Sequence, residues 1–282
     1  MSIDTSLSRR RAVSGLLALA ALPALPLRAQ VAFPYYRGED ALQGLYAQHM
    51  PALARAFETQ ARALTAAVRG QCGKAEPAAL LQAWRQTLQA WLALVAEGID
   101  AEATALRAAF DQLATRNWSG DEEGARTAFA EWINQWLGGL ERLRWIEIEK
   151  PVQRARTAGQ GRPPAFARRS MNDNLAAWRT QWQALRAQAR LSTGQQNTPP
   201  QPGRDLVPIE ALLMGKGQIA LAQRWAQAIG SVDHALAALP AQPDEDDLMS
   251  LSTTMKQLTA LYQHDIASAL DVPLGFSDAD GD

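Results

Sequence analysis

Apolar residues recur at alternating spacings of three and four along nearly the whole chain, and this pattern excludes most folds. Leu81, Trp84, Leu88, Trp91 and Val95 follow it. So do Phe129, Ile133, Trp136, Leu140 and Leu143, and again Leu175, Trp178, Trp182, Leu185 and Ala189. Such spacing lays one stripe along a helix, and a stripe of that width is a seam between packed helices. No stretch alternates like a strand for more than a few residues. Alanine is abundant and β-branched residues are few, which favours helix locally. The expected fold is all-α, an antiparallel up-and-down bundle of about seven or eight helices. It divides into two four-helix-bundle-like halves, 39–150 and 165–275.

Punctuation sets the expected order. A helix should run from about Glu39 to Arg69, with Leu53, Phe57, Leu64 and Val68 on its stripe and a kink or break at Pro51. Leu106, Phe110 and Leu113 give a shorter helix. Ser119 to Glu122 reads as a capping box opening the next one. Pro151 should stop that helix. A basic crossing follows, with Gly159, Gly161, Pro163 and Pro164 among Arg154, Arg156, Arg162, Arg168 and Arg169. Ser170 should cap the next helix, with Asp173 three residues on. A short helix over 205–214, a long one over 219–239 and a last one carrying Leu248 to Ile266 complete the set. Asp244 to Asp247 should favour the start of the last one.

Residues 1–29 read as a signal peptide. Arg9, Arg10 and Arg11 precede an apolar run from Ala12 to Leu25 that is too short to span a bilayer. The Ser-Arg-Arg start resembles a twin-arginine signal, while Ala12 and Val13 fit ordinary secretion, so both routes stay open. No cysteine adjoins the cleavage site for a lipid anchor. Removing this segment takes four arginines and one aspartate and shifts the net charge from −1 to −4. A mildly acidic chain lacks the basic face a nucleic-acid binder needs. The single Cys72 leaves no internal disulfide, so helix packing must hold the mature domain, 30–282. The expected product is a periplasmic or cell-envelope monomer with no transmembrane segment.

Few residues point to chemistry. His49, His234 and His264 lack the His-x-x-Glu or His-Glu-x-x-His spacing that aims two ligands at one ion. Asp278, Asp280 and Asp282 look like the opening of a calcium loop without its closing glutamate. The crossing arginines suit either an anion pocket or a solvated surface. At its end, Arg169 stands at a helix N-terminus beside Ser170 and could hold a carboxylate such as Glu149. Glu149, Arg169 and Ser170 are the candidate ligand-binding or structural junction, and Asp278, Asp280 and Asp282 a candidate acidic tail. No catalytic residue, metal ligand or cofactor is assigned.

Glu149-Lys150-Pro151, then Arg169-Ser170, then Leu274-Gly275-Phe276 before Asp280-Gly281-Asp282 together resemble the imelysin-like family of bacterial cell-envelope proteins. The resemblance covers most of the chain from about Tyr36. It implies two helical bundles related by an internal repeat, an exported location and a link to iron uptake. Some members carry a Gly-x-His-x-x-Glu metal motif and were named peptidases. Here the nearest string, Gly98-Ile99-Asp100-Ala101-Glu102, has aspartate where histidine belongs. The expected function is therefore non-catalytic binding of a metal species, a small ligand or an envelope protein. The alternatives are a metallopeptidase with a rearranged site at His234 or His264, with Asp233, Asp265 or Asp271, and a structural interaction module.

Overall fold

The computed structural model describes residues 31–71, 78–96, 113, 115–159 and 161–273. Among them lie seven helical rods and no strand. They are α1 (38–71), α2 (Ala78–Ala96), α3 (122–158), α4 (Met171–Ala189), α5 (Ile209–Gly215), α6 (Ile219–Ala238) and α7 (245–269). The protein is thus an all-α helical bundle, as the seam spacing requires. α1 packs on α2, α2 on α4, α6 on α7, and α7 along the middle of α3. The start of α1 also lies on α3.

One hydrophobic core takes residues from Tyr36 in the lead-in to Val272 after α7. Its centre is aromatic. Trp136 of α3 lies 5.2 Å from Trp225 of α6 and 5.8 Å from Tyr262 of α7, measured between ring centroids. Each indole also needs a hydrogen-bond acceptor once buried. Trp136 Nε1 donates to the Leu185 carbonyl at 2.8 Å, and Trp225 Nε1 to that of Ala189 at 2.7 Å. Four elements are tied together at this point.

The expected stop at Pro151 is corrected, and of the kink or break expected at Pro51 the break is excluded. Neither Pro51 nor Pro151 ends its helix; α1 and α3 run through them. In both rods a wide turn precedes the proline, Leu45–His49 in α1 and Arg142–Glu149 in α3. The Met50 amide reaches back five residues to the Leu45 carbonyl, and the Lys150 amide to that of Trp145. Proline lacks an N–H and its ring clashes with the preceding turn. An i→i+5 turn just upstream moves those carbonyls aside, so the rod continues. α7 has a third such turn, Tyr262–Ile266.

Other boundaries also shift. Asp121, not Ser119, caps α3, with its carboxylate accepting from the Gly124 amide at 3.0 Å. α5 begins at Ile209 because Pro208 takes its N-cap position. Ser170 caps α4 as expected, and Asp244 with Asp247 forms a reciprocal box at α7. On the α1–α2 hairpin the apolar stripe is only partly covered. Val68, Leu81 and Trp84 are 50%, 50% and 56% exposed, although the spacing places them on seams.

Glycine decides one close approach. A Cβ at Gly44 would overlap the carbonyl oxygen of Asp205, which is backbone and cannot swing away. Gly44→Ala should therefore lower stability by about 1–3 kcal/mol. Gly138, inside α3 with nothing within 4 Å of a built Cβ, should gain about 0.5–1 kcal/mol as alanine. Opposite shifts in the urea midpoint of the two variants would bear this out.

Candidate functional site

The wide turn in α3 gathers charged residues where α3 meets α7. Arg144 donates from Nε to both Glu141 oxygens, at 3.2 and 3.1 Å. Its Nη1 donates to Glu149. Five residues are about 1.4 turns of an ordinary α-helix and would hold Arg144 and Glu149 on different flanks. One turn of i→i+5 bonding brings them to the same flank.

α7 closes the network from the other side. Ser252 Oγ donates to Glu149 Oε2 at 2.6 Å, and Thr259 donates to Glu141. Gln153 Nε2 donates to the second Glu149 oxygen, also at 2.6 Å. The three charged side chains retain only 12–14% of their exposure. Burial works against the Arg144 charge, but the hydrogen bonds and charges of Glu141 and Glu149 outweigh it, so its pKa is raised. The result is a lock between α3 and α7.

The crossing between α3 and α4 is fixed by a neighbouring set. Arg168 Nη1 donates to Glu147 Oε2 at 2.8 Å. Buried Asn174 holds the Arg168 backbone on both sides, accepting from its amide at 3.1 Å and donating to its carbonyl at 2.8 Å. Phe166 meets Trp178 edge-on, with centroids 5.5 Å apart. Gly159 and Gly161 adopt φ of +68° and +65°, which side chains with a Cβ resist, and so turn the chain back along α3.

The sequence-derived trio is thus divided among different tasks. Glu149 lies in the α3–α7 lock, paired with Arg144 and not with Arg169. The adjacent Arg168 takes Glu147 instead. Ser170 caps α4, accepting from the Asp173 amide at 3.1 Å and donating to its carboxylate at 2.7 Å. Arg169 lines a surface groove between α2 and α4 with Leu81, Trp84, Leu88 and Leu92. Asp278, Asp280 and Asp282 lie outside the described residues, as do Cys72, residues 97–112 and the signal segment. Sequence reasoning missed Arg144, Glu141, Glu147 and Asn174. The i, i+3 spacing of Glu141 and Arg144 was the available signal.

On the outer flank of the crossing the charge is not neutralised. Lys150, Arg154 and Arg162 line a groove of about 470 Å³ with no carboxylate among its lining residues. On the inner flank every arginine described above has an acid, and Arg156 pairs with Glu245 at 2.8 Å.

The acids considered for a rearranged metal site are also engaged. Asp233 accepts from Trp182 Nε1 at 2.7 Å and from Arg186 Nε at 3.0 and 2.8 Å. Asp265 pairs with Arg224 at 2.7 Å, and Asp271 with Lys216 at 2.6 Å. Among the described residues no three His, Cys, Asp or Glu side chains converge as a metal site would require.

Glu210, near the Asp233 cluster, makes stability depend on pH. Desolvation by burial raises its pKa above 4.5, while the Leu191 amide and the Arg190 and Arg186 charges hold part of that rise back. An acid with a raised folded pKa favours the native state below its unfolded pKa, and that contribution is lost as pH rises through the folded value. Glu210→Gln keeps an oxygen for the Leu191 amide and removes the charge. The variant should lose less stability than the parent between about pH 4.5 and 7, read from urea midpoints across that range.

The described fold belongs to the all-α helical bundles. It matches the crystal structure of an imelysin-like protein from Psychrobacter arcticum 273-4, with a TM-score of 0.60, 15% identity, and coverage of 87% of this chain and 100% of that one. The chain therefore has an imelysin-like fold. No family model and no curated protein matches it. Among the described residues no helix is long and apolar enough to cross a membrane.

Proposed function

We propose that this is an exported, imelysin-like binding protein of the bacterial periplasm that acts without catalysis. One observation carries the reading. The carboxylates within the bundle are paired with arginines that hold its elements together, and the unpaired cations lie on the outer flank of the crossing. Glu141, Glu147, Glu149, Asp233, Asp265 and Asp271 each face a cation, which suits locks and ion pairs better than general bases. The export signal at residues 1–29 supports the periplasmic part. The resemblance to imelysin-like proteins supports a role in iron acquisition, by analogy of family alone.

The test starts from protein expressed with its own signal, fractionated, and purified without chelators. Recovery in the periplasmic fraction is expected, together with a co-purified small molecule, metal or partner in native mass spectrometry and elemental analysis. Chelator-sensitive cleavage of an unfolded protein substrate, abolished by replacing His234 and His264, would overturn the reading in favour of a metallopeptidase. Recovery in the cytoplasm would overturn the export.

A further inference from the structure

Residues 144–168 carry Arg144, Arg154, Arg156, Arg162 and Arg168, together with Lys150. The structure sorts them into two sets. Arg144, Arg156 and Arg168 turn toward acids on α3 and α7. Lys150, Arg154 and Arg162 face the outer groove, and among the described residues their side chains have no ion pair or hydrogen-bond partner.

Lys150 and Arg154 are four residues apart on one helical face. Arg162 is brought opposite them by the two left-handed glycines, Gly159 and Gly161. Three like charges around one concavity repel each other, and nothing in the lining offsets them. The rest of the lining is apolar. Pro151, Ala155 and Ala158 on α3 face Pro163, Ala165 and Ala167 on the crossing, and Ile146 at one end is 47% exposed. Its volume, about 470 Å³, is that of a small-molecule pocket. A hydrophilic anion would leave the apolar walls unused, and a neutral apolar molecule would leave three charges uncompensated.

We propose that this groove binds a small amphiphilic anion, a carboxylate or phosphate monoester carrying an apolar chain or ring. The cations hold the ionised oxygens, and Ile146 with the alanine and proline walls covers the apolar part. This rests on the reading of the protein as a binding module and names the ligand class for it.

The test titrates the full-length mature protein with hexyl phosphate by calorimetry, alongside inorganic phosphate, hexanol and phosphatidylglycerol vesicles. Saturable binding of hexyl phosphate is expected, weakening as salt rises. Inorganic phosphate should bind at least about tenfold more weakly, matching roughly two methylenes of lost burial. The triple variant Lys150→Gln, Arg154→Gln, Arg162→Gln should lose about a hundredfold or more in affinity with a melting temperature no lower than the parent's. Ile146→Ser should weaken hexyl phosphate and leave inorganic phosphate unaffected. Equal binding of hexyl phosphate by the triple variant would overturn the proposal, as would equal affinity for phosphate and hexyl phosphate. Vesicle binding that needs the three cations, without any binding of soluble hexyl phosphate, would also overturn it and make the groove a membrane contact. A co-purified ligand that the triple variant retains would refute the groove while leaving the binding function standing.

Discussion

Arg144→Met should produce one of the two largest losses of stability accessible by a single change in this protein. The substitution keeps the length of the side chain and removes its charge and donors. Glu141 and Glu149 would then share a largely buried space with no cation between them. Breaking a fully buried pair from one side costs about 3–5 kcal/mol. This cluster keeps a small opening to solvent, 13% at Arg144, so about 2–3 kcal/mol is the expected cost. Most of that is the penalty of the two stranded carboxylates, not the intrinsic worth of the pair. Adding Glu149→Gln to Arg144→Met should therefore recover part of the loss, because one stranded charge disappears while Gln153 and Ser252 can still bond the amide. Urea midpoints of the two single variants and the double variant measure this directly. If Arg144→Met unfolds at the parental midpoint, the cluster does not lock α3 to α7. Glu149 would then be free to serve a ligand.

The lock also shows how far a sequence can be read. Fold class was legible because it depends on seam spacing, and Leu175, Trp178, Trp182, Leu185 and Ala189 are all buried as their spacing requires. The cap at Ser170 was legible because it needs only a local hydrogen bond. The sequence offers Arg169 as a possible partner for Glu149, whereas in the fold Glu149 pairs with Arg144. The reason is geometric. A reading built on 3.6 residues per turn separates positions 144 and 149, and only the wide turn before Pro151 brings them together. The same device carries α1 through Pro51, where the sequence left a kink and a break both open. A proline removes a helical donor whatever its context, but whether the chain stops or widens depends on what packs along that turn. The groove at Lys150, Arg154 and Arg162 was legible only as a basic segment. Which arginines face acids is decided by the fold: α3 supplies Glu149 to Arg144 and Glu147 to Arg168, while Arg156 depends on Glu245 and Asp246 of α7, about ninety residues further on.

Trp136→Ala should be the other severe change, and its comparison with Trp84→Ala separates two residues that look alike in sequence. Both occupy positions in three-four seams. Trp136 is 1% exposed and stands among Trp225, Tyr262 and the Leu185 carbonyl, so that rings from α3, α6 and α7 and the backbone of α4 meet around it. Removing it empties a site where four elements converge and which cannot collapse without moving one of them. The expected cost is about 3–5 kcal/mol for the truncation, with about 1 kcal/mol more for the carbonyl left without its indole donor. Against a total stability of about 5–15 kcal/mol, this brings the protein close to unfolding. Trp136→Phe keeps most of the ring and should cost about 1–3 kcal/mol, chiefly the hydrogen bond and the lost benzo edge. Trp84, at 56% exposed, should tolerate alanine within about 0.5 kcal/mol. Thermal melts of the three variants decide the matter. A mild effect for Trp136→Ala would mean that the helices do not depend on this aromatic centre. A severe effect for Trp84→Ala would mean that the α2–α4 groove is covered in solution.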